Sequence, residues 1–190
     1  MKKLKDLADI FTGHSLRDRL DDELPGDSVL IQGKDVDVTT GVLATALQKI
    51  SSEILPPIQL LRLNDILLLS KGSTNRAILY QGQFGKAAAV SAFTVIRLTT
   101  THVIPEFLVW YLNSQVADEH FNFHRLKGTT TFNLPKTGIE TLNVPLLPME
   151  KQQQMLNLIR SQDLYNKLMA DILRNTNLLT NQTLKNNLKN

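Results

Sequence analysis

Cysteine is absent from this 190-residue sequence. Its absence excludes a disulfide scaffold, a thiolate metal site and a cysteine nucleophile, and it is typical of a protein from a reducing compartment. Long apolar runs are missing as well, since no stretch approaches the roughly 18 residues that cross a bilayer. The basic residues at the start are not followed by the apolar segment of a signal peptide. We therefore expect a soluble, cytoplasmic protein with no membrane-embedded part.

Catalytic motifs are also missing. Residues 82–86 (Gly-Gln-Phe-Gly-Lys) have neither the spacing of a phosphate-binding Walker loop nor its hydroxyl after the lysine. No dinucleotide-binding fingerprint and no Gly-x-Ser-x-Gly nucleophile turn occurs. His120 and His124 stand at the spacing of one helical face, but no glutamate lies between them, so we interpret them as a structural pair. The sequence thus predicts no catalytic residue and no metal site, and it favours recognition over chemistry.

Charge is unevenly distributed along the chain. The net charge of +3 is too small to identify a nucleic-acid-binding protein by itself. Residues 151–190 hold six basic residues against two acidic ones. Segments 66–105 and 120–139 contain no acidic residue, and their basic residues are Lys71, Arg76, Lys86, Arg97, Arg125, Lys127 and Lys136. This distribution indicates a positive face on a neutral body, or alternatively basic side chains scattered over the solvated surface.

Short apolar segments predict strands in the first part of the chain. They lie at residues 29–31, 65–70, 77–80 and 93–98. Glycines between these segments favour turns over long helices. Pro105 and Glu106 then open an apolar segment at 107–114, whose composition predicts a buried helix. The expected fold is α+β, with a mainly β domain and peripheral helices.

The end of the chain predicts a long helix that needs a partner. Residues 151–190 contain no proline or glycine, and apolar side chains recur there every seven residues. These side chains are Leu158, Tyr165, Ile172 and Leu179. The companion positions, three residues later, are Ser161, Leu168, Asn175 and Gln182, a largely polar second seam. About 35 helical residues extend roughly 50 Å, beyond what one small domain covers. The alternative is that the first half packs on its own domain and the asparagine-rich end frays.

Two polar loops carry the chemistry of nucleic-acid contact. The first, at residues 70–76, places hydroxyls, an amide and two basic side chains on a glycine-containing turn between predicted strands. The second, at residues 126–133, repeats the combination of lysine, hydroxyls and an amide. Lysine suits phosphates, hydroxyls suit phosphates or base edges, and asparagine suits adenine. The candidate DNA contacts are Lys71, Ser73, Thr74, Asn75, Arg76, Lys127, Thr129, Thr130, Thr131 and Asn133. Alternatively, each loop is an ordinary polar, glycine-containing surface turn.

A proline-fixed segment joins the predicted domain to the predicted helix. Pro145 and Pro148 restrict the backbone and remove two hydrogen-bond donors, which predicts an extended arm that ends just before a helix. Glu150 follows in the first helical turn, where a carboxylate suits the positive end of the helix.

The order of these elements resembles the DNA-specificity subunits of type I restriction-modification systems. The resemblance covers nearly the whole chain. It rests on segment 4–13, segment 63–70 with the Gly-Ser turn that follows it, the helix at 107–114, and the closing segment 144–152 (Val-Pro-Leu-Leu-Pro-Met-Glu-Lys-Gln), which is the most specific. In that family a target-recognition domain reads half of a split DNA site and a long helix spaces it from a second domain. The subunit docks methyltransferase and translocase partners and has no catalytic residue of its own.

The resemblance implies a target-recognition domain at residues 1–148 and a spacer and dimerisation helix at residues 149–190. This chain carries one domain and one helix where the family usually has two of each. As a natural half-subunit it is expected to form a homodimer with antiparallel helices that reads two inverted copies of a short sequence. As a fragment it has lost its second domain. The side chains expected to hold the dimer are Leu158, Tyr165, Leu168, Ile172 and Leu179.

The implied function is to direct a type I restriction-modification methyltransferase and nuclease complex to a bipartite site in double-stranded DNA. The implied partners are methyltransferase and restriction subunits. S-adenosylmethionine, ATP and magnesium are expected on those partners, and no cofactor is expected on this chain. The alternative is a docking or decoy protein that assembles through its helix and does not read DNA. Salt-sensitive binding to duplex DNA distinguishes the two.

Overall fold

The structure, a computed structural model, describes residues 1–15, 26–37, 47–72, 74–125 and 132–187. The strands in these ranges are β1 (Lys2–Lys3), β2 (Ala8–Thr12), β3 (Ser28–Ile31), β4 (Gln48–Ile50), β5 (Ile66–Leu69), β6 (Lys71–Gly72), β7 (Ala77–Leu79), β8 (Ala87–Ala89), β9 (Phe93–Leu98), β10 (Phe132–Asn133) and β11 (Asn143–Val144). The α-helices are α1 (Pro105–Leu112), α2 (Gln115–His124), α3 (Lys136–Glu140) and α4 (Met149–Asn187). The chain divides into two compact units, Met1–Met149 and Glu150–Asn190. This mixture of helix and sheet confirms the predicted α+β class.

The larger sheet of the first unit is a four-stranded antiparallel sheet with the order β2-β9-β5-β7. All four residues of β5 are buried, from Ile66 to Leu69. A continuous apolar run of this length is typical of a strand that is covered on both faces. Its neighbour β9 is buried from Phe93 to Ile96. The strands predicted at 65–70, 77–80 and 93–98 are therefore confirmed, and all three lie in this sheet.

The second sheet has the order β4-β3-β8, in which β3 pairs antiparallel with β4 and parallel with β8. The strand predicted at 29–31 is confirmed as β3. The β8 strand is Ala87-Ala88-Ala89, which the sequence did not predict because alanine has a weak preference for strands. Buried side chains from both sheets form one apolar cluster, so a hydrophobic core lies between the sheets. This cluster consists of Ile31, Val36, Leu61, Leu67, Leu69, Ile78, Tyr80, Ala87, Ala89, Phe93 and Val95.

A buried ion pair fixes the entry to the central strand. Asp65, directly before β5, accepts hydrogen bonds from Arg97 Nε at 2.8 Å and Arg97 Nη2 at 2.7 Å. Arg97 Nη2 also donates to the Leu60 carbonyl, and Asp65 Oδ2 accepts from the Arg62 amide. The hydrogen-bonded carboxylate raises the pKa of the Arg97 guanidinium above its usual value. The guanidinium also lies over the Phe11 ring, 5.2 Å from its centroid. This pair ties β9 to the chain that enters β5.

A short helix covers the edge of the larger sheet, and a second short helix packs against it. α1 begins at Pro105, contacts β7 and buries Phe107, Leu108, Tyr111 and Leu112. These contacts confirm the buried helix predicted at 107–114. The helix ends at Leu112 because Ser114 caps the next helix, where its hydroxyl accepts from the Ala117 amide at 3.4 Å.

The last strand leads into the long helix. β11 pairs with β1, with Val144 opposite Lys2, and residues 145–148 belong to no helix or strand. The predicted helix start directly after this segment is confirmed, because α4 begins at Met149. Its 39 residues correspond to roughly 58 Å at 1.5 Å per residue. Across the ranges that the structure describes, no helix combines the length and the apolar content that a bilayer crossing requires.

Candidate nucleic-acid interface

The two loops that the sequence singles out are joined in space. β6 pairs antiparallel with β10, which sets Asn133 opposite Lys71 and Phe132 opposite Gly72. About sixty residues separate these two strands along the chain, so the pairing was not visible in the sequence. We call this two-stranded pair the ribbon. It brings one lysine and one asparagine, both predicted DNA contacts, to neighbouring positions.

Buried polar contacts anchor the ribbon to the larger sheet. The Leu134 amide donates to the Ser70 carbonyl at 2.8 Å, and the Ser70 and Lys71 amides donate to the Ala92 carbonyl at 2.9 and 3.1 Å. The buried Ser70 hydroxyl donates to the Ala92 carbonyl and accepts from the Thr94 hydroxyl at 3.0 Å. Ser70 and Thr94 were not predicted as site residues, because a hydroxyl within an apolar strand carries no distinctive sequence signal. Their hydrogen bonds hold both strands of the ribbon at one point of the sheet.

The ribbon residues differ in exposure. Lys71 is exposed, whereas Gly72 and Asn133 are half-buried. Gly72 has a φ of +146°, a conformation that residues with a side chain rarely adopt. Glycine is therefore favoured at this position, where β6 ends. The arrangement leaves the lysine in solvent with the asparagine beside it on the neighbouring strand.

The remaining described residues of the first loop turn toward the helices. The Thr74 hydroxyl donates to the Asn75 carbonyl at 3.4 Å, so it is engaged with its own loop. Asn75 and Arg76 line a polar pocket of about 230 Å³ beside the turn between α1 and α2. The other residues of this pocket are Leu112, Asn113, Ser114, Gln115 and Asp118. The predicted contacts Ser73, Lys127, Thr129, Thr130 and Thr131 lie outside the described residues.

The predicted positive face is smaller than the linear charge pattern indicated. Basic residues of the acid-free segments form ion pairs with carboxylates from other parts of the chain. Arg97 pairs with Asp65 at 2.7 Å, and Lys86 pairs with Asp27 at 2.7 Å. Lys136 pairs with Glu140 at 3.4 Å, one helical turn away. The hydrogen bond from Lys86, followed by those from Ser52, lowers the pKa of Asp27 well below its usual range. Three of the seven basic residues that suggested the face are therefore paired with carboxylates, while Lys71 in the ribbon is exposed.

The two close histidines are held by backbone carbonyls. His120 Nε2 donates to the Gly138 carbonyl at 2.8 Å, and His124 Nδ1 donates to the His120 carbonyl at 2.9 Å. The two rings stack with centroids 4.3 Å apart. This geometry is the one expected of a structural pair that joins α2 to α3. Among the described residues, no group of three or more histidine, aspartate or glutamate side chains could hold a metal ion.

The predicted dimerisation residues are all exposed on α4. Leu158, Tyr165, Leu168, Ile172 and Leu179 have exposed fractions of 53 to 72%. Further exposed apolar side chains flank them on the same helix and widen the exposed apolar surface beyond the seven-residue repeat. These flanking residues are Leu164, Met169, Leu173 and Leu178. We call these nine side chains together the apolar stripe.

The described residues thus carry the ribbon on the sheet domain and the apolar stripe on α4. The sequence matches the family model of the type I restriction modification DNA specificity domain over residues 1–186. The chain therefore belongs to the type I restriction-modification DNA specificity family. This membership confirms the predicted resemblance and the predicted class, that of a non-catalytic specificity component.

Solved structures share this fold. The HsdS subunit from Thermoanaerobacter tengcongensis is 19% identical, with a TM-score of 0.65, over 94% of this chain and 46% of that one. A chain from a study of complex assembly and conformational transition of the type I R-M system is 18% identical, with a TM-score of 0.70, over 96% of this chain and 47% of that one. The type I S subunit from M. genitalium is 17% identical, with a TM-score of 0.57, over 85% of this chain and 38% of that one. This chain thus spans less than half the length of the solved chains it matches. A search of curated proteins gave no match.

Proposed function

We propose that this chain is a sequence-specific DNA-recognition subunit that directs a type I restriction-modification methyltransferase and nuclease complex to a bipartite site. The observation that carries the proposal is the ribbon, which sets Lys71 opposite Asn133 in a member of a DNA specificity family. Residues 1–148 are proposed to read DNA, and residues 149–190 to space and dimerise the domains.

The ribbon suits DNA in shape and in chemistry. The major groove of B-DNA admits a two-stranded β-ribbon. Lys71 supplies a cation for a phosphate, an interaction that adds affinity on any sequence. The Asn133 amide matches the hydrogen-bonding edge of adenine, which presents one donor and one acceptor in the major groove. The further proposed contacts belong to the two segments that the ribbon joins and are Ser73, Thr74, Asn75, Arg76, Lys127, Thr129, Thr130 and Thr131.

We also propose that two copies assemble through α4. The support is the apolar stripe, whose central members Leu168 and Ile172 are both more than half exposed. A patch of this extent on a single helix is typical of a protein–protein contact. Pairing through an antiparallel twofold axis gives both copies the same interface and presents two inverted reading domains. The resulting site has two inverted half-sequences separated by bases that are not read.

The proposed partners of the dimer are methyltransferase and restriction subunits in the cytoplasm. S-adenosylmethionine, ATP and magnesium belong to those partners in this proposal. The contribution of this chain is binding and orientation.

The test of DNA reading is a titration of the full chain with randomised duplex DNA at several salt concentrations. Affinity should fall steeply with salt, because phosphate contacts release counterions. Lys71→Ala should weaken binding to all sequences by a similar factor and reduce the salt slope by about one. Lys49→Ala, an exposed lysine on the edge strand β4 of the other sheet, is the matched control and should leave binding unchanged. Equal effects of the two substitutions would remove the ribbon from the proposed interface.

A docking or decoy protein is the second candidate function, because the apolar stripe would serve it equally well. It predicts assembly through α4 with no salt-dependent affinity for duplex DNA. The titration separates the two functions without knowledge of the target sequence.

A further inference from the structure

Asn113, the residue directly after α1, makes a paired contact with the edge of the larger sheet. Its Oδ1 accepts a hydrogen bond from the Ala77 amide at 2.9 Å, and its Nδ2 donates to the Ala77 carbonyl at 2.9 Å. A side-chain amide has one acceptor and one donor group, so it can satisfy both backbone groups of a strand residue as a neighbouring strand would. Asn113 therefore completes the outer edge of β7 at a single residue.

The position of that contact connects it with the proposed DNA surface. Ala77 directly follows the loop at 71–76, and the Arg76 carbonyl accepts from the Leu69 amide on the opposite side of the strand at 2.8 Å. The end of the loop is thus held from both sides, by β5 and by Asn113. Its beginning is held by the ribbon and by the hydrogen bonds of Ser70. Both ends of the loop are therefore held in place by hydrogen bonds.

The same contact sets the loop against the helices. Asn75 and Arg76 line the pocket beside the turn between α1 and α2, and Asn113 lines that pocket too. Loss of the Asn113 amide would release the backbone of Ala77, the residue that directly follows these two in the chain. Asn113 is itself exposed, so its replacement removes little buried surface.

We propose that Asn113 is a positioning residue for DNA sequence reading: it fixes where Asn75 and Arg76 stand relative to Lys71 and Asn133. This inference rests on the proposed function. Aspartate at this position keeps the acceptor and loses the donor, and alanine loses both. Both substitutions are therefore expected to reduce the difference in affinity between preferred and mismatched DNA sequences.

The test compares sequence selection by the full chain and its variants from one library of randomised duplex DNA. Wild type, Asn113→Ala, Asn113→Asp and Asn181→Ala are each used to enrich the library, and the retained sequences are counted. Asn181, an exposed asparagine on α4, is the matched control, since it lies outside the pocket that Asn75 and Arg76 line. We expect both Asn113 variants to discriminate between the best and the mismatched sequences about three- to tenfold less well, the range of one lost hydrogen bond. The control should retain the wild-type preference.

The readout separates positioning from folding. If the role of Asn113 were purely structural, its loss would lower the folded fraction and weaken binding to every DNA sequence by the same factor. The ratio of the affinities for different sequences would then be unchanged. An unchanged preference in both Asn113 variants overturns this inference and leaves the proposed function standing. A wild-type chain that binds duplex DNA without enriching any sequence overturns the proposed function and this inference with it.

Discussion

The sheet domain and the long helix use the same apolar residue types in opposite ways. In β5 the four residues from Ile66 to Leu69 are all buried, whereas on α4 Leu158 is 72% exposed and Leu179 is 65% exposed. The domain places its apolar side chains in its own core, and the helix presents them to solvent. Because burial of apolar surface is the main driving force for folding and association, the two regions should respond to mutation in different observables. Substitutions in the domain should change its stability, and substitutions on the helix stripe should change association.

The largest effect is expected from breaking the ion pair at the entry to β5. Asp65→Asn leaves the guanidinium of Arg97 without its carboxylate in a site where the arginine side chain is only 12% exposed. Loss of one partner of a buried pair typically costs about 3–5 kcal/mol. Urea unfolding of the full chain measures this change.

Its control is the surface pair between Lys86 and Asp27. Asp27→Asn should change the free energy of unfolding far less, because solvent screens that pair. Equal losses in Asp65→Asn and Asp27→Asn would show that the buried pair has no special role in the domain.

The second effect should appear in association and leave domain stability unaffected. Ile172→Asp places a charge in the centre of the apolar stripe, and burying it in a helix pair is expected to weaken the homodimer about 100-fold, or roughly 2.7 kcal/mol. Asn181→Asp puts the same charge nine residues away, on the opposite face of the helix, and serves as the control. Sedimentation at a series of protein concentrations measures both. A wild-type chain that stays monomeric, or an Ile172→Asp variant that still dimerises, contradicts the helix-pairing proposal.

A third and smaller effect concerns the anchor of the ribbon. Ser70→Ala removes the hydroxyl that joins Ala92 to Thr94 and leaves the buried Thr94 hydroxyl without that acceptor, at a cost of about 1–2 kcal/mol. Ser161→Ala on the exposed face of α4 removes a serine that donates to its own helix and should be close to neutral. Thermal unfolding of the two variants compares the regions directly. The comparison fails if the helix variant is the less stable one.

The smallest expected effect is the pH dependence of the contribution that Asp27 makes to stability. Because the pKa of Asp27 is lowered in the folded state by Lys86 and Ser52, its contribution to stability is complete above the ordinary pKa of a carboxyl group. It is lost as the pH falls through the lowered folded-state value. The difference in unfolding free energy between wild type and Asp27→Asn should therefore be present at neutral pH and shrink in strong acid. A difference that grows on acidification would contradict the lowered pKa.

Sequence patterns predicted the parts of the fold that local chemistry determines. β5 and β9 were evident because they are continuous apolar segments, and α4 was evident because its residues include no proline or glycine. β8 was missed, since three alanines carry no strand signal. The charge pattern overstated the positive face because Asp65 and Asp27 reach Arg97 and Lys86 from distant parts of the chain.

The sequence indicated individual residues of the candidate site but not the pairing that brings them together. Lys71 and Asn133 were both selected as DNA contacts from the residue types of their loops. Their pairing across the ribbon depends on long-range strand register, which no local pattern encodes. Asn113 was missed for the same reason, since its role is visible only when Ala77 stands beside it. DNA binding by these residues stays a prediction for experiment.

The most direct test of the central claim is a map of methylated bases. The chain would be co-expressed with a type I methyltransferase subunit, taken from the neighbouring gene if one is encoded there, and the DNA of the host would be sequenced for methylation. Our account predicts a split motif with two inverted halves at a constant spacing. An intact complex that methylates no defined sequence would contradict the claim that this chain reads DNA.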